Sequence, residues 1–257
     1  MVKQMRLKVS HSIKPDGTPV SEADIKIAEN FLNEVSKMFP HDGIITEETQ
    51  PYLPSTFPQY VWLFDPIDGT KVFLQKGKFY SILLTLLKLS DDGYMPVFGI
   101  ILSPENEVSI LGGSSMGIWY VENSHKIPII PSPSLNPPYF LHIRDHFEEK
   151  ILINAFSGRR EFELVISSTL RGPFRHCGIL FNIYDAVIRG GPKGSSLWDI
   201  GPLDAIFKGG GLILTDQNGL NISYTPPFTQ KVNILVTTSS PHIHELIIEI
   251  LHSIPAI

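Results

Sequence analysis

The chain has one cysteine, Cys177, in 257 residues. That excludes an internal disulfide and a zinc cage of several thiolates, and it fits a reducing compartment, so a cytoplasmic location is expected. Positive charge is also scarce: 21 Lys and Arg stand against 26 Asp and Glu, a formal charge of −5. Such a balance argues against a nucleic acid polymer as partner. No apolar run approaches the roughly 20 residues needed to span a bilayer, so no membrane partner is expected. The opening residues Met1–Lys8 contain no apolar stretch, so a signal peptide is not expected either. Repeats are absent, and the only compositionally biased tract is a proline-rich stretch.

That stretch, Ile127–Pro138, resists helix and reads as a link between two lobes, residues 1–130 and 139–257. Before it, Ala23, Ile27, Phe31, Val35 and Met38 recur at helical spacing and predict a helix over Glu22–Met38. Ser21 to Asp24 has the form of a capping box for its start. Strands follow at Tyr60–Phe64, Ser81–Lys88, Val97–Leu102, Val108–Leu111 and Gly117–Val121. Asp91-Asp92-Gly93 signals a hairpin. A helix followed by meandering strands predicts a mainly antiparallel sheet. After the link, strands at Tyr139–Ile143, Phe162–Ile166, Ala186–Arg189, Leu212–Thr215 and Val232–Val236 alternate with helices at Asp145–Ala155, Gly178–Tyr184, from Asp199 to the glycines at 209–211, and His242–Ile254. This alternation predicts an α/β lobe.

The chemistry concentrates in Trp62-Leu63-Phe64-Asp65-Pro66-Ile67-Asp68-Gly69-Thr70. Two carboxylates stand three residues apart around a proline, after an apolar run. A carboxylate pair on a rigid turn at a strand end suits Mg²⁺, which takes oxygen ligands in near-octahedral geometry. Gly69 allows close backbone approach to a ligand. The same residues also describe an ordinary turn. Three further acidic sites weigh against that plain reading: Asp24 at the head of the first helix, Glu47-Glu48 after Ile44-Ile45-Thr46, and Asp199 after Leu197-Trp198. Each lies at the edge of a regular element, where a scaffold can aim it. Glu48 reads as a supporting or surface acid, and the histidines share no ligand spacing.

As a set, Asp24, Glu47-Glu48, Asp65-Pro66-Ile67-Asp68-Gly69-Thr70 and Trp198-Asp199 resemble the signature of the inositol monophosphatase superfamily, in its order and from about Lys14 to Gly219. The resemblance implies an α/β fold, a layered α-β-α-β-α sandwich, with the site between the lobes. It implies Mg²⁺-dependent, lithium-sensitive hydrolysis of a phosphate monoester, using two or three ions. Glu47, Asp65, the Ile67 carbonyl, Asp68 and Asp199 would be the metal ligands. Thr70 would orient the attacking water, Glu47 or Asp24 would take its proton, and Gly69 and Thr70 amides would hold phosphate. A small phosphorylated substrate and a homodimer are the partners it implies.

Gly69-Thr70-Lys71-Val72-Phe73 resembles the 3′(2′),5′-bisphosphate nucleotidase branch, and Arg175 falls where that branch often carries a basic residue. Lys71 and Arg175 are therefore the candidate contacts to a second phosphate, which needs positive partners; Asp68, Gly69, Thr70 and Asp199 complete the candidate substrate-binding set. Inositol monophosphatase and histidinol-phosphate phosphatase remain alternatives, as does a non-catalytic metal or phosphate binder. The substrate half departs from the family pattern: Leu170–Cys177 lacks the Gly-Ser motif, no acid stands shortly before Trp198-Asp199, and Pro202 replaces the usual alanine. The stretch before Lys14 is short for the family's first helix.

Overall fold

The computed structural model describes residues 10–15, 17–143, 150–165 and 172–254. Two strands open it, β1 (His11–Ile13) and β2 (Pro19–Ser21), paired as an antiparallel hairpin. Helix α1 (Glu22–Met38) follows directly. Its start is a full capping box: the Asp24 amide donates to Ser21 Oγ, and the Asp24 carboxylate accepts from the Ser21 amide at 2.8 Å. A seven-stranded sheet comes next: β3 (Gly43–Thr46), β4 (Tyr60–Asp68), β5 (Ser81–Ser90), β6 (Gly93–Ser103), β7 (Val108–Gly113), β8 (Gly117–Glu122) and β9 (His125–Ile129), in that spatial order. Only β3 and β4 are parallel; the other pairs are antiparallel. A short helix, α2 (Thr70–Leu74), lies between β4 and β5.

The second sheet holds β10 (Tyr139–Ile143), β11 (Phe162–Val165), β12 (Ala186–Ser196), β13 (Ile213–Asp216) and β14 (Lys231–Thr238), in the order β11-β10-β12-β14-β13. Helices α3 (Lys150–Phe156) and α5 (Pro241–His252) cover its outer face, where Leu152, Phe156, Ile243 and Ile247 close one core. Between the sheets lie α4 (Leu197–Gly209) and a 3₁₀ segment (Gly172–Phe181). Helix α1 covers the outer face of the first sheet, stacking Phe31 on Phe64 at 4.1 Å between ring centroids. The layers therefore run helix, sheet, helix, sheet, helix, as the family resemblance implied. The largest core joins both sides of the proline tract, since Val61, Leu83 and Ile101 pack with Ile179, Leu197 and Leu235.

Helix α4 approaches the first sheet closely because glycines leave room. A Cβ on Gly99 of β6 would stand 2.5 Å from the Pro202 carbonyl oxygen, and one on Gly201 would stand 2.6 Å from Thr85 Oγ1. Nearly all of α4 from Ile200 to Phe207 is buried. Pro202, atypical by sequence, thus sits at the tightest contact between helix and sheet.

Several expectations shift in detail. The proline tract does not begin as a link: Ile127, Pro128 and Ile129 pair with β8 as the edge strand β9, where a proline costs no interior hydrogen bond. The helix expected at Gly178–Tyr184 is the 3₁₀ segment, and the strand expected at Ala186–Arg189 continues to Ser196 through an irregularity between Gly190 and Ser195. The β1–β2 hairpin has too short a pattern to read from sequence. Residues 145–149, Ile166, residues 166–171 and residues 1–9 lie outside the described residues, and with them parts of the expected helix, strand, altered Gly-Ser motif and N-terminal segment. Among the described residues no helix is long and apolar enough to cross a membrane.

Candidate metal centre and substrate cleft

Asp65-Pro66-Ile67-Asp68 does not form a turn after a strand; it is the end of β4 itself. Asp65 pairs with Leu83 and Asp68 with Ser81, so three steps on β4 oppose two on β5. In a regular strand, residues three apart face opposite sides. The extra residue is a bulge, and it turns both acids onto the face toward α4. The Ile67 amide donates to Asp65 Oδ1 at 2.9 Å and fixes that carboxylate. Gly69 follows at φ +90°, left-handed backbone that favours glycine, and starts α2.

Asp199 reaches the same place from α4. It is the third helical residue, and its carboxylate accepts from the amide of the N-cap Ser196 at 3.1 Å, completing a capping box. It also meets the other two acids: ligand oxygens of Asp65, Asp68 and Asp199 lie within 4.8 Å of one another. Burial first, then repulsion from Glu47, Asp68 and Asp199, pushes the Asp65 carboxyl well above the ordinary carboxylate range. Burial raises Asp68 to about 6 against the opposing pull of Arg189. Asp199 rises to about 7 through burial and then through Asp68, again opposed by Arg189. Three carboxylates held this close in a buried site are electrostatically unsatisfied. A hard divalent cation with oxygen ligands relieves that strain, so the donor set fits a metal such as Mg²⁺.

Glu47 lines the same cleft, its amide hydrogen-bonded to the Phe64 carbonyl at 3.1 Å beside β4. Lys14, on the β1–β2 turn, places its ammonium 2.7 Å from Glu47 and 2.5 Å from Glu48. Glu48 is thus a half-buried acid paired with Lys14. The Thr70 hydroxyl stands 3.1 Å from Asp24 Oδ1 and 3.1 Å from the Ile67 carbonyl oxygen, so its one proton has two acceptors. Asp24 is buried, and burial raises its pKa against the lowering effect of its bonds to Ser21 and Thr70. It caps α1 and holds Thr70 together.

The cleft, about 390 Å³, brings Glu47, Asp65, Ile67, Asp68, Gly69, Thr70, Lys71 and Asp199 to one wall system. Arg175 is not among its lining residues; its charge acts on buried His176 and on Tyr184. Two basic residues that sequence reasoning missed do line it: Arg189 of β12 and Lys231 of β14. Lys231 pairs with Ser196, the residue that caps α4, which sets it at the cleft rim. The signal for both was faint, since neither sits in a motif; only the β12–β14 register reveals them.

Comparison with known proteins bears on the family and the fold. The model of the inositol monophosphatase family matches residues 3–256. A histidinol-phosphatase of Streptomyces coelicolor is 37% identical over 102 residues, 40% of this chain and 36% of that one. A 3′(2′),5′-bisphosphate nucleotidase CysQ of Aggregatibacter actinomycetemcomitans is 23% identical over 227 residues, 84% of this chain and 78% of that one. Among solved structures, an IMPase/NADP phosphatase complexed with Mg²⁺ and phosphate aligns over 98% of this chain and 89% of its own, with a TM-score of 0.75 at 18% identity. With the motif set, the layered fold and the family match in agreement, the chain belongs to the inositol monophosphatase family and is a phosphoric monoester hydrolase.

Proposed function

We propose that the protein is a Mg²⁺-dependent phosphatase whose preferred substrate is a 3′(2′),5′-bisphosphate nucleotide. The observation that carries this reading is the joint lining of one cleft by the acid trio and by Lys71, Arg189 and Lys231. The acids suit a metal-bound phosphoryl group. Three cations in the same cleft suit a second anionic group on the substrate. A cyclitol monophosphate would offer only hydroxyls to them.

Bound Mg²⁺ would neutralise the phosphoryl oxygens and stabilise the developing charge. Asp65, Asp68, Asp199 and Glu47, with the Ile67 carbonyl, would hold two or three such ions. The chain's own groups do the rest. Thr70 orients the attacking water through its hydroxyl, and Asp24 accepts the Thr70 proton at 3.1 Å, so a proton leaving the water has a short path to a buried carboxylate. Glu47 is the alternative acceptor, poised by Lys14. Amides of Gly69 and Thr70 take phosphate oxygens. Residues 1–130 supply most metal ligands and 139–257 supply Asp199, Arg189 and Lys231, so catalysis needs both halves. The name of the CysQ relative supports the substrate; the histidinol-phosphatase match keeps a second reading, histidinol phosphate, in view.

The test is phosphate release with Mg²⁺ from adenosine 3′,5′-bisphosphate, inositol 1-phosphate, fructose 1,6-bisphosphate and histidinol phosphate. The bisphosphate nucleotide should give the highest kcat/KM. A higher value for histidinol or inositol phosphate would overturn the substrate, and no release from any ester would overturn the enzyme.

A further inference from the structure

A second cavity, also about 390 Å³, opens beside the cleft and has no part in the chemistry described above. Its position follows from strand register. Asp68 of β4 stands opposite Ser81 of β5. Ile82 pairs with Leu102, which places Ser81 beside Ser103 of β6. Ser103 pairs with Val108 of β7, and Val108 with Glu122 of β8. Directly opposed residues point to the same face. Asp68, Ser81, Ser103, Val108 and Glu122 thus form one row across five strands, on the face toward α4. Neighbouring strands lie about 5 Å apart, so the row leads away from the metal centre in steps of about 5 Å. The cavity is lined by Ser81, Ser103, Val108 and Glu122 of this row. It begins one strand from Asp68 and extends outward.

The walls of that cavity are aromatic. Phe79 and Tyr80 precede β5, Tyr120 rises from β8, and Phe174 comes from the 3₁₀ segment of the facing layer. Phe79 is 53% exposed, far more than an aromatic side chain packed in a core. Polar groups interrupt the aromatic surface. Asn106 donates to Ser103 Oγ at 2.8 Å and keeps its carbonyl oxygen for another donor. The Glu122 carboxylate stands beside the Tyr120 hydroxyl. Aromatic faces with donors and acceptors at the edges suit a flat, polar heterocycle, which stacks on one and hydrogen-bonds to the other. A sugar or cyclitol has no such face.

We infer that the cavity lined by Phe79, Tyr120, Phe174 and Asn106 is the subsite for the nucleobase of the substrate. The inference rests on the phosphatase reading above. A phosphate on the acid trio, a furanose over Ser81 and a base between Phe79 and Phe174 follow the row of side chains in order. Lys231 and Arg189 line the cleft and not this cavity, and remain for the second phosphate.

The test compares adenosine 3′,5′-bisphosphate with the same sugar bisphosphate lacking its base, in the full-length protein with Mg²⁺. The wild type should use the base-bearing ester at least tenfold better by kcat/KM. Phe174→Ala should cut that advantage about tenfold, mainly through KM, and change the baseless ester less than twofold. Phe174→Trp should restore it, and Asn106→Ala, at an exposed position, should lower only the base-bearing ester. Equal use of both esters by the wild type overturns the inference and leaves the phosphatase reading intact. Equal loss on both in Phe174→Ala, with Asn106→Ala silent, overturns it too. If neither ester is hydrolysed, the phosphatase reading falls, and calorimetric binding of adenosine decides: uptake by the wild type that Phe174→Ala loses supports the subsite, and no uptake overturns it.

Discussion

Replacing Asp199 with asparagine separates its two duties. The asparagine oxygen can still accept from the Ser196 amide, so the helix cap survives. The negative charge does not. In the metal-free protein that charge is a burden: burial and Asp68 lift the Asp199 carboxyl from 3.8 to about 7. A rise of about three units corresponds to about 4 kcal/mol, at about 1.4 kcal/mol per unit. Asp199 is half-buried and open to the cleft, so solvent screening reduces this to about 1–2 kcal/mol. Its raised folded-state pKa means that folding favours the protonated form. The stability gained is complete below about 3.8 and is lost as pH rises through about 7. At pH 7.5 and with chelator present, Asp199→Asn should therefore melt about 3–6 °C above the parent, at about 3 °C per kcal/mol for a chain of this size. The gap should vanish by pH 4. Added Mg²⁺ should raise the melting temperature of the parent much more than that of the variant, and turnover in the variant should fall about 10²-fold or more. Thermal melts with and without Mg²⁺, between pH 4 and 8, read all of this. A chelated variant that melts well below the parent at pH 7.5 would refute the reasoning and leave Asp199 as a helix cap alone.

The remaining expectations are simpler. Exhaustive chelation should abolish phosphate release, and Mg²⁺ should restore it; turnover that persists unchanged would remove the metal from the reaction. Thr70→Ala should lower kcat about 10²-fold while Thr70→Ser keeps most of it, since in the proposed reaction the hydroxyl bonded to Asp24 is what orients the water; equal kinetics for both variants would show Thr70 to be a turn residue. Cys177 is buried, and burial pushes its thiol far up, so a thiol reagent at pH 8 should label it only after unfolding; rapid labelling of the native protein would contradict the packing. Gly99→Ala should destabilise by about 2 kcal/mol or more, because its Cβ would meet Pro202 backbone at 2.5 Å; an unchanged denaturation midpoint would mean α4 can move away from β6 freely.

How much of this was legible in the sequence depended on distance along the chain. Asp65, Asp68, Gly69 and Thr70 lie in one short run, and the local pattern announced them. Helix α1 was legible to its ends because Ala23, Ile27, Phe31 and Val35 share one face and Ser21 caps it. The reading went astray where tertiary pairing overrode local preference. A Pro and two Ile, read as a link, became strand β9 because β8 offered an edge. Asp65 to Asp68, read as a turn, stayed in β4 because β5 continued to pair with it past the proline.

The same division explains why the cleft's cations were harder to find than its acids. A hard cation constrains its ligands to a few ångströms, so the acids must be fixed by short, stiff features: a bulge, a left-handed glycine, a helix cap. Those features leave marks in sequence. A second phosphate can be met by long, flexible side chains from separate strands. Arg189 and Lys231 lie 42 positions apart in sequence, and they enter the cleft together only because β12 and β14 are antiparallel neighbours, with Arg189 opposite Leu235 and Ser196 opposite Lys231. Arg175, in contrast, falls where the nucleotidase branch often carries a basic residue, yet on the 3₁₀ segment its charge acts on His176. Position along the chain pointed to Arg175, whereas register puts Lys231 at the cleft. In the function proposed above, the contacts to the second phosphate therefore follow from the pairing of β12 with β14 and not from any local motif.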